Sequence, residues 1–180
     1  MNQVIMDKDA IRRTIIRLSH EVMEKNGDLQ NLVFIGIRRG GEVVAKRVRE
    51  YVTRQSGFDL PCAGIDIASF RDDAPHVDRQ ENALQIPLDG KAVVLCDDVL
   101  HTGRSVRAAM DGLFLSGRPK EIQLLILVDR GGREIPVKAD YVGKNVPMPK
   151  TEYVQVAFEE LGAREDKLYI TKLDERKIVR

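Results

Sequence analysis

Three stretches of this chain are apolar almost without interruption: LVFIGI (32–37), AVVLC (92–96) and IQLLILV (122–128). A strand that is apolar at nearly every position must be covered on both faces. That requirement excludes a one-layered antiparallel sheet and asks for helices above and below. The intervening sequence supplies them. Ile11, Ile15, Leu18 and Val22 repeat at helical spacing, while Arg13, Arg17, His20 and Glu24 line a polar face, and Gly27 is the expected stop. EVVAKRVREYV reads as a second helix with Val44, Val48 and Tyr51 inward. A third carries Val106, Ala109, Met110, Leu113 and Phe114 on one face and ends at Gly117 and Pro119. CAGIDIASF, EYVQVAF and KLYITKL read as further strands, and ADYVGKNVP as irregular chain. Buried strands alternating with helices predict an α/β fold with a central parallel sheet flanked by helices.

At 180 residues this is the size of one domain, spanning 1–180. The formal net charge is only +1, so any basic binding surface must be local. No apolar run is long enough to cross a bilayer and no signal-peptide pattern opens the chain, so no membrane partner is expected. Cys62 and Cys96 lack metal-ligand spacing and read as buried reduced thiols of a cytoplasmic protein, with a Cys62–Cys96 disulfide as the alternative. Between Arg71 and about Gly90 the periodicity dissolves into charges and prolines, as expected of a lid or hood over roughly 70–90.

The most informative stretch is VVLCDDVLHTGRSVRAAM (93–110). In an open parallel sheet ligands bind beyond the carboxyl ends of the strands. Asp97 and Asp98 stand at such an end. Thr102, Gly103, Arg104 and Ser105 stand where the next helix begins, a place of unpaired N–H groups and positive helix dipole that suits a phosphate. Two carboxylates cannot hold that same phosphate. They suit a neighbouring diol or a metal ion, so the pairing points to one ligand in which a ribose carries a phosphate.

This stretch resembles the phosphoribosyl-pyrophosphate (PRPP) motif of type I phosphoribosyltransferases. AIRRTIIRLSHEVMEKN, GIDIASFRDD, DDVLHTGRSVRAAMDGL and GRPKEIQLLILVDRGGREIPVKADYVGKNVP extend the resemblance to the pyrimidine operon attenuator family, PyrR, from about residue 10 to about residue 160. The resemblance implies a type I phosphoribosyltransferase fold with a small hood and a bifunctional protein. One activity makes UMP and pyrophosphate from uracil and PRPP. The other binds a pyrimidine operon leader RNA when UMP is present. A homodimer or tetramer is implied as well. The alternatives are an RNA-binding regulator with little turnover, or a transferase that has lost RNA binding.

By resemblance, Asp97 and Asp98 take the ribose hydroxyls, and Thr102–Ser105 the 5′-phosphate. Arg38, Arg39 and Arg71 face the pyrophosphate, and Val128, Asp129 and Arg130 the uracil edge. Mg2+ travels on PRPP near Asp97 and Asp98, with no protein side chain expected as a direct ligand. His20, Arg133, Lys138 and Lys144 match the RNA face. The chain departs from the family pattern at several places. Gly40 replaces an arginine, His101 a tyrosine, Gly132 a histidine, Met148-Pro149 a Thr-Ser pair and Ile16 a threonine, and the segment between Arg71 and Lys91 is several residues shorter.

Overall fold

The structure, a computed structural model, describes residues 3–72, 84–149 and 151–172. The chain runs β1 (Gln3–Met6), α1 (Lys8–Lys25), β2 (Leu32–Ile37), α2 (Gly40–Ser56), β3 (Cys62–Ile65), β4 (Ala92–Leu100), α3 (Arg104–Ser116), β5 (Glu121–Asp129), β6 (Tyr141–Asn145), β7 (Glu152–Ala157) and β8 (Lys167–Lys172). Strands β2 to β6 form a five-stranded parallel sheet in the order β3-β2-β4-β5-β6. The expected lid falls largely on residues 73–83, which lie outside the described residues.

The double covering demanded by the apolar strands is met by alternating side chains along most of each strand, Leu127 and Val128 at the end of β5 sharing one core. Leu32, Phe34, Val94, Cys96, Leu125 and Leu127 point to one face and meet α1 and α2. Val33, Ile35, Val93, Leu95, Leu124 and Ile126 point to the other and meet α3. Adjacent residues of a strand feed opposite cores because the side-chain period is two. Phe34 and Ile35 are both fully buried, each in a different core.

Four details differ from the sequence expectation. Gly27 does not end α1 in a left-handed turn; Asn26 caps it instead, its backbone N–H bonding to the Val22 carbonyl. Tyr141–Asn145, read as irregular, is a parallel edge strand beside β5. Phe114 is 61% exposed, outside the buried face of Val106, Ala109 and Leu113. Tyr51 is only half-buried, and Val52 takes the inward place on α2. The cysteines are free: Cys62 on β3 and Cys96 on β4 lie on opposite sides of β2, two strand spacings apart, too far to bridge.

The chain ends build a second, antiparallel sheet in the order β1-β8-β7. It is tied to α2 by Arg47, whose guanidinium donates to Asp166 at 2.5 Å and to both Glu160 oxygens at 2.8 and 2.6 Å, while lying over the Phe158 ring. At the other end of the main sheet a buried amide network locks α1 to β5 and β6. Asn26 Nδ2 donates to the Val22 carbonyl at 2.8 Å and to Gln123 Oε1 at 3.0 Å, and Gln123 Nε2 donates back to Asn26 Oδ1 at 2.8 Å. Tyr141 donates its hydroxyl proton to Gln123 Oε1 at 2.5 Å. Replacing Asn26 by Ala leaves Gln123 bonded to Tyr141 and Glu121 but removes both of its bonds to Asn26 and the side-chain bond to the Val22 carbonyl. Asn26→Ala is therefore expected to lower the unfolding free energy by about 1–3 kcal/mol in urea denaturation.

Candidate active site

The order β3-β2-β4 contains the point where the chain reverses its direction of travel across the sheet. From β2 it moves outward to β3, then returns to place β4 on the other side of β2. The loops leaving β2 and β4 diverge to opposite faces there and open a crevice at the carboxyl end. Glycine lets these loops come close. A Cβ on Gly40 would overlap the Asp98 carboxylate, and one on Gly41 would overlap the Cys96 carbonyl oxygen. Glycine at position 40 thus has a local reason: the loop after β2 lies directly on the acid pair.

Strand β4 continues through the acids to Leu100, keeping register with β5. Asp97 is buried and Asp98 half-buried. Each accepts a backbone N–H from the following residue at 2.9 Å, Asp98 N–H to Asp97 Oδ1 and Val99 N–H to Asp98 Oδ1. Burial, and then the neighbouring Asp98 charge, push the Asp97 carboxyl well above the usual carboxylate range; burial raises Asp98 as well. A hydroxyl donor or a cation next to the pair would relieve both. Among the described residues no cluster of three or more His, Cys, Asp or Glu side chains is arranged to hold a metal ion.

Beyond the acids, Gly103 adopts φ 88° at the head of α3, a left-handed conformation natural to glycine. A cavity of about 160 Å³ opens here, with Asp97, His101, Thr102, Gly103 and Ser105 among its lining. The loop after β5 braces this turn. Arg130 N–H donates to the Leu100 carbonyl at 3.0 Å, and Glu134 and Ile135 N–H donate to the Thr102 carbonyl at 2.9 and 2.8 Å. The Arg104 guanidinium is engaged with Asp72 and, at 2.9 Å, with Glu134. The Arg104 side chain thus joins three loops around the crevice, while its backbone N–H donates to Thr102 Oγ1 at 3.3 Å.

The remaining expected residues divide into groups. Arg38 pairs with Glu42 at 3.6 Å, and Arg39 faces a separate groove along α2 with Lys46 and Glu160; the peptide between them is cis. Arg71 follows a short helical turn whose Phe70 carbonyl accepts from Arg107 at 2.7 Å. Val128 is fully buried, and Arg130 is buried with its guanidinium over Tyr153. Burial pushes the Asp129 carboxyl up, but the Arg133 guanidinium and the Gly131 N–H outweigh it and hold it below its ordinary value. Arg133 also donates to the His101 carbonyl at 2.9 Å and the Val137 carbonyl at 3.1 Å, so it works within the loop.

His20 meets Tyr51 across α1 and α2 at 3.0 Å, and Lys138 and Lys144 are exposed. Lys144 shares a cavity of about 320 Å³ with Arg13, Thr14 and Arg17 of α1, and no carboxylate among the described residues lines it. The sequence set the two arginines on α1's polar face, but only the contact of α1 with β6 joins them to Lys144.

Against known proteins, a family description named phosphoribosyl transferase domain matches residues 3–160. Bifunctional protein PyrR of Geobacter sp. (strain M21) is 44% identical over 162 residues, 88% of this chain and 92% of its own length. The same-named protein of Caldicellulosiruptor bescii is 44% identical over 174 residues, covering 94% and 95%. The chain belongs to the PyrR family. Within the larger phosphoribosyltransferase fold, a hypoxanthine phosphoribosyltransferase from Staphylococcus aureus superposes with TM-score 0.73 over 96% of this chain and 93% of that one, at 18% identity. Two departures from the PyrR pattern meet in space: a Cβ on Gly132 would stand 3.1 Å from the His101 ring.

The acid pair makes a stability prediction. The folded Asp97 carboxyl holds its proton more tightly than the unfolded one, whose pKa is about 3.9. Its contribution is thus most favourable below that value and is lost as pH rises toward the folded pKa. Asp97→Asn, uncharged throughout, should unfold at a higher temperature than wild type at about pH 7, with the gap closing toward about pH 4. Thermal scans of both proteins across that range check the sign.

Proposed function

We propose that the protein makes UMP and pyrophosphate from uracil and PRPP, and binds a pyrimidine operon leader RNA in response to UMP. The observation that carries the transferase half is the acid pair beside a glycine-headed anion loop at the sheet's switch point. PyrR relatives at 44% identity, each named bifunctional, support the pairing of two activities.

Asp97 and Asp98 accept the ribose hydroxyls, and the N–H groups and hydroxyls of Thr102–Ser105 receive the 5′-phosphate. Arg38, Arg39 and Arg71 supply positive charge to the departing pyrophosphate, and Arg38 must leave Glu42 to do so. Val128, Asp129 and Arg130 present backbone groups to the uracil edge. The residues fit Mg2+ carried by PRPP: a buried and a half-buried carboxyl, both with raised pKa, stand at the ribose end without forming a cage of their own among the described residues. When bound, Mg2+ neutralises charge on the pyrophosphate. The protein's own contribution is orientation and electrostatic stabilisation of positive charge developing at the anomeric carbon. The segment of about 70–90 belongs to this reading as a lid, its near end held by Arg107 on Phe70 and by Arg104 on Asp72.

For RNA, the support is the basic cavity of Arg13, Arg17 and Lys144, lined by no carboxylate among the described residues, although Arg17 also pairs with Glu21. His20 and Lys138 join this reading by the family resemblance, and Arg133 acts through the loop it braces. A homodimer or tetramer in the cytoplasm is part of the same reading; no described helix is long and apolar enough to cross a membrane.

Incorporation of labelled uracil into UMP, with PRPP and Mg2+, tests the enzyme; no turnover would end that half of the proposal. The double variant Asp97→Asn with Asp98→Asn should raise the PRPP requirement and cut turnover about 10- to 100-fold. Gel shifts of the leader RNA test the regulator, and an affinity indifferent to UMP would end it. Arg13→Ala with Lys144→Ala should weaken RNA binding and flatten its salt dependence while UMP synthesis stays within about twofold of wild type.

A further inference from the structure

We infer that His101 forms part of the nucleobase wall of the site and accepts the N1 proton of the incoming uracil as the glycosidic bond forms. This rests on the uracil transferase reading and adds a residue to it.

The geometry places this imidazole between the two loops that must hold the two halves of the product. On one side it lines the cavity with Asp97, Thr102, Gly103 and Ser105, the ribose and phosphate end. On the other its Cδ2 and Nε2 both stand 3.1 Å from where a Cβ on Gly132 would be, in the loop assigned to the base. Gly132 has φ 78°, a conformation that disfavours any other residue, and a side chain there would press on the ring. Glycine at 132 therefore lets the His101 ring pack directly against the backbone of this loop.

The backbone that carries the ring is fixed from behind. The His101 carbonyl accepts from Arg133 at 2.9 Å, and the next carbonyl, Thr102, accepts two N–H groups from the same loop. Such support is what a group needs to stay within reach of a reacting atom.

The chemistry at this place calls for a base. N1 of uracil uses its electron pair to form the bond to the anomeric carbon. The bond from that carbon to the pyrophosphate oxygen breaks, its pair leaving with pyrophosphate. The N1 proton must go elsewhere, and the imidazole takes it, later releasing it to solvent. Among the residues lining this cavity, His101 is the one whose ordinary pKa lies near neutrality. The charged groups on the elements that meet here are Asp97 from β4, Asp129 at the end of β5, Arg133 from the loop that follows, and the Arg104–Glu134 pair.

The test is a pH profile of kcat/KM for uracil with the full-length protein, wild type and His101→Gln, beside PRPP affinity by calorimetry. Wild type should show an acid limb with an apparent pKa of about 6–7. His101→Gln should lose that limb and about 10²-fold in turnover, with PRPP affinity within about twofold. An unchanged limb and rate in the variant overturns the inference alone. So does an equal loss of PRPP affinity, which would make His101 a support of the anion loop. A wild-type protein that makes no UMP at any pH overturns this inference together with the transferase reading.

Discussion

The pairing of β2 with β4 is the contact on which the rest of the site depends. It makes the chain's path across the sheet reverse at its centre, and it sets Gly36 beside Cys96, so that β2 ends level with the acids of β4. The loop after β2 then leaves beside Asp97 and Asp98. Glycines at 40 and 41 let one loop lie directly on the acids of the other, which a methyl group at either position would prevent. Sheet register and glycine thus place groups far apart in sequence within one crevice.

Charge in the crevice is organised by who is already paired. Arg104, Arg133 and Arg38 each hold carboxylates of neighbouring segments. Exposed pairs of this kind contribute little stability, so their value lies in fixing where loops stand. Asp97 and Asp98 are the opposite case: adjacent carboxyls with raised pKa, each accepting the backbone N–H of the residue that follows it and neither paired with a cation among the described residues, they are costly to the fold. Outside the crevice, Lys144 meets Arg13 and Arg17 because the edge strand β6 packs against α1.

The parallel sheet and its helices were legible because fully covered strands leave unbroken apolar runs and the inward faces of α1, α2 and α3 repeat at helical spacing. Strand β6 was not legible. Tyr141–Asn145 is an edge strand of only five residues, half-covered, with a glycine and a lysine inside it, and it carries no such run. Phe114 misled for a related reason: periodicity ranks apolar stripes without saying which one meets a neighbour. Gly27 had the composition of a helix stop, but the side chain of Asn26, held by Gln123 from ninety-seven residues away, does the capping.

The sequence by itself determined the layered α/β plan, the acid pair followed by a glycine turn into α3, and the PyrR resemblance, because these are written in contiguous residues whose local physics is self-sufficient. Only the tertiary structure decided which of these groups share a space. It put Gly40 on Asp98, Arg13 beside Lys144 and the His101 ring against Gly132, and it turned Arg133 and the Arg104 side chain into braces. Those outcomes depend on strand order and loop docking, long-range packing that no spacing within a segment encodes.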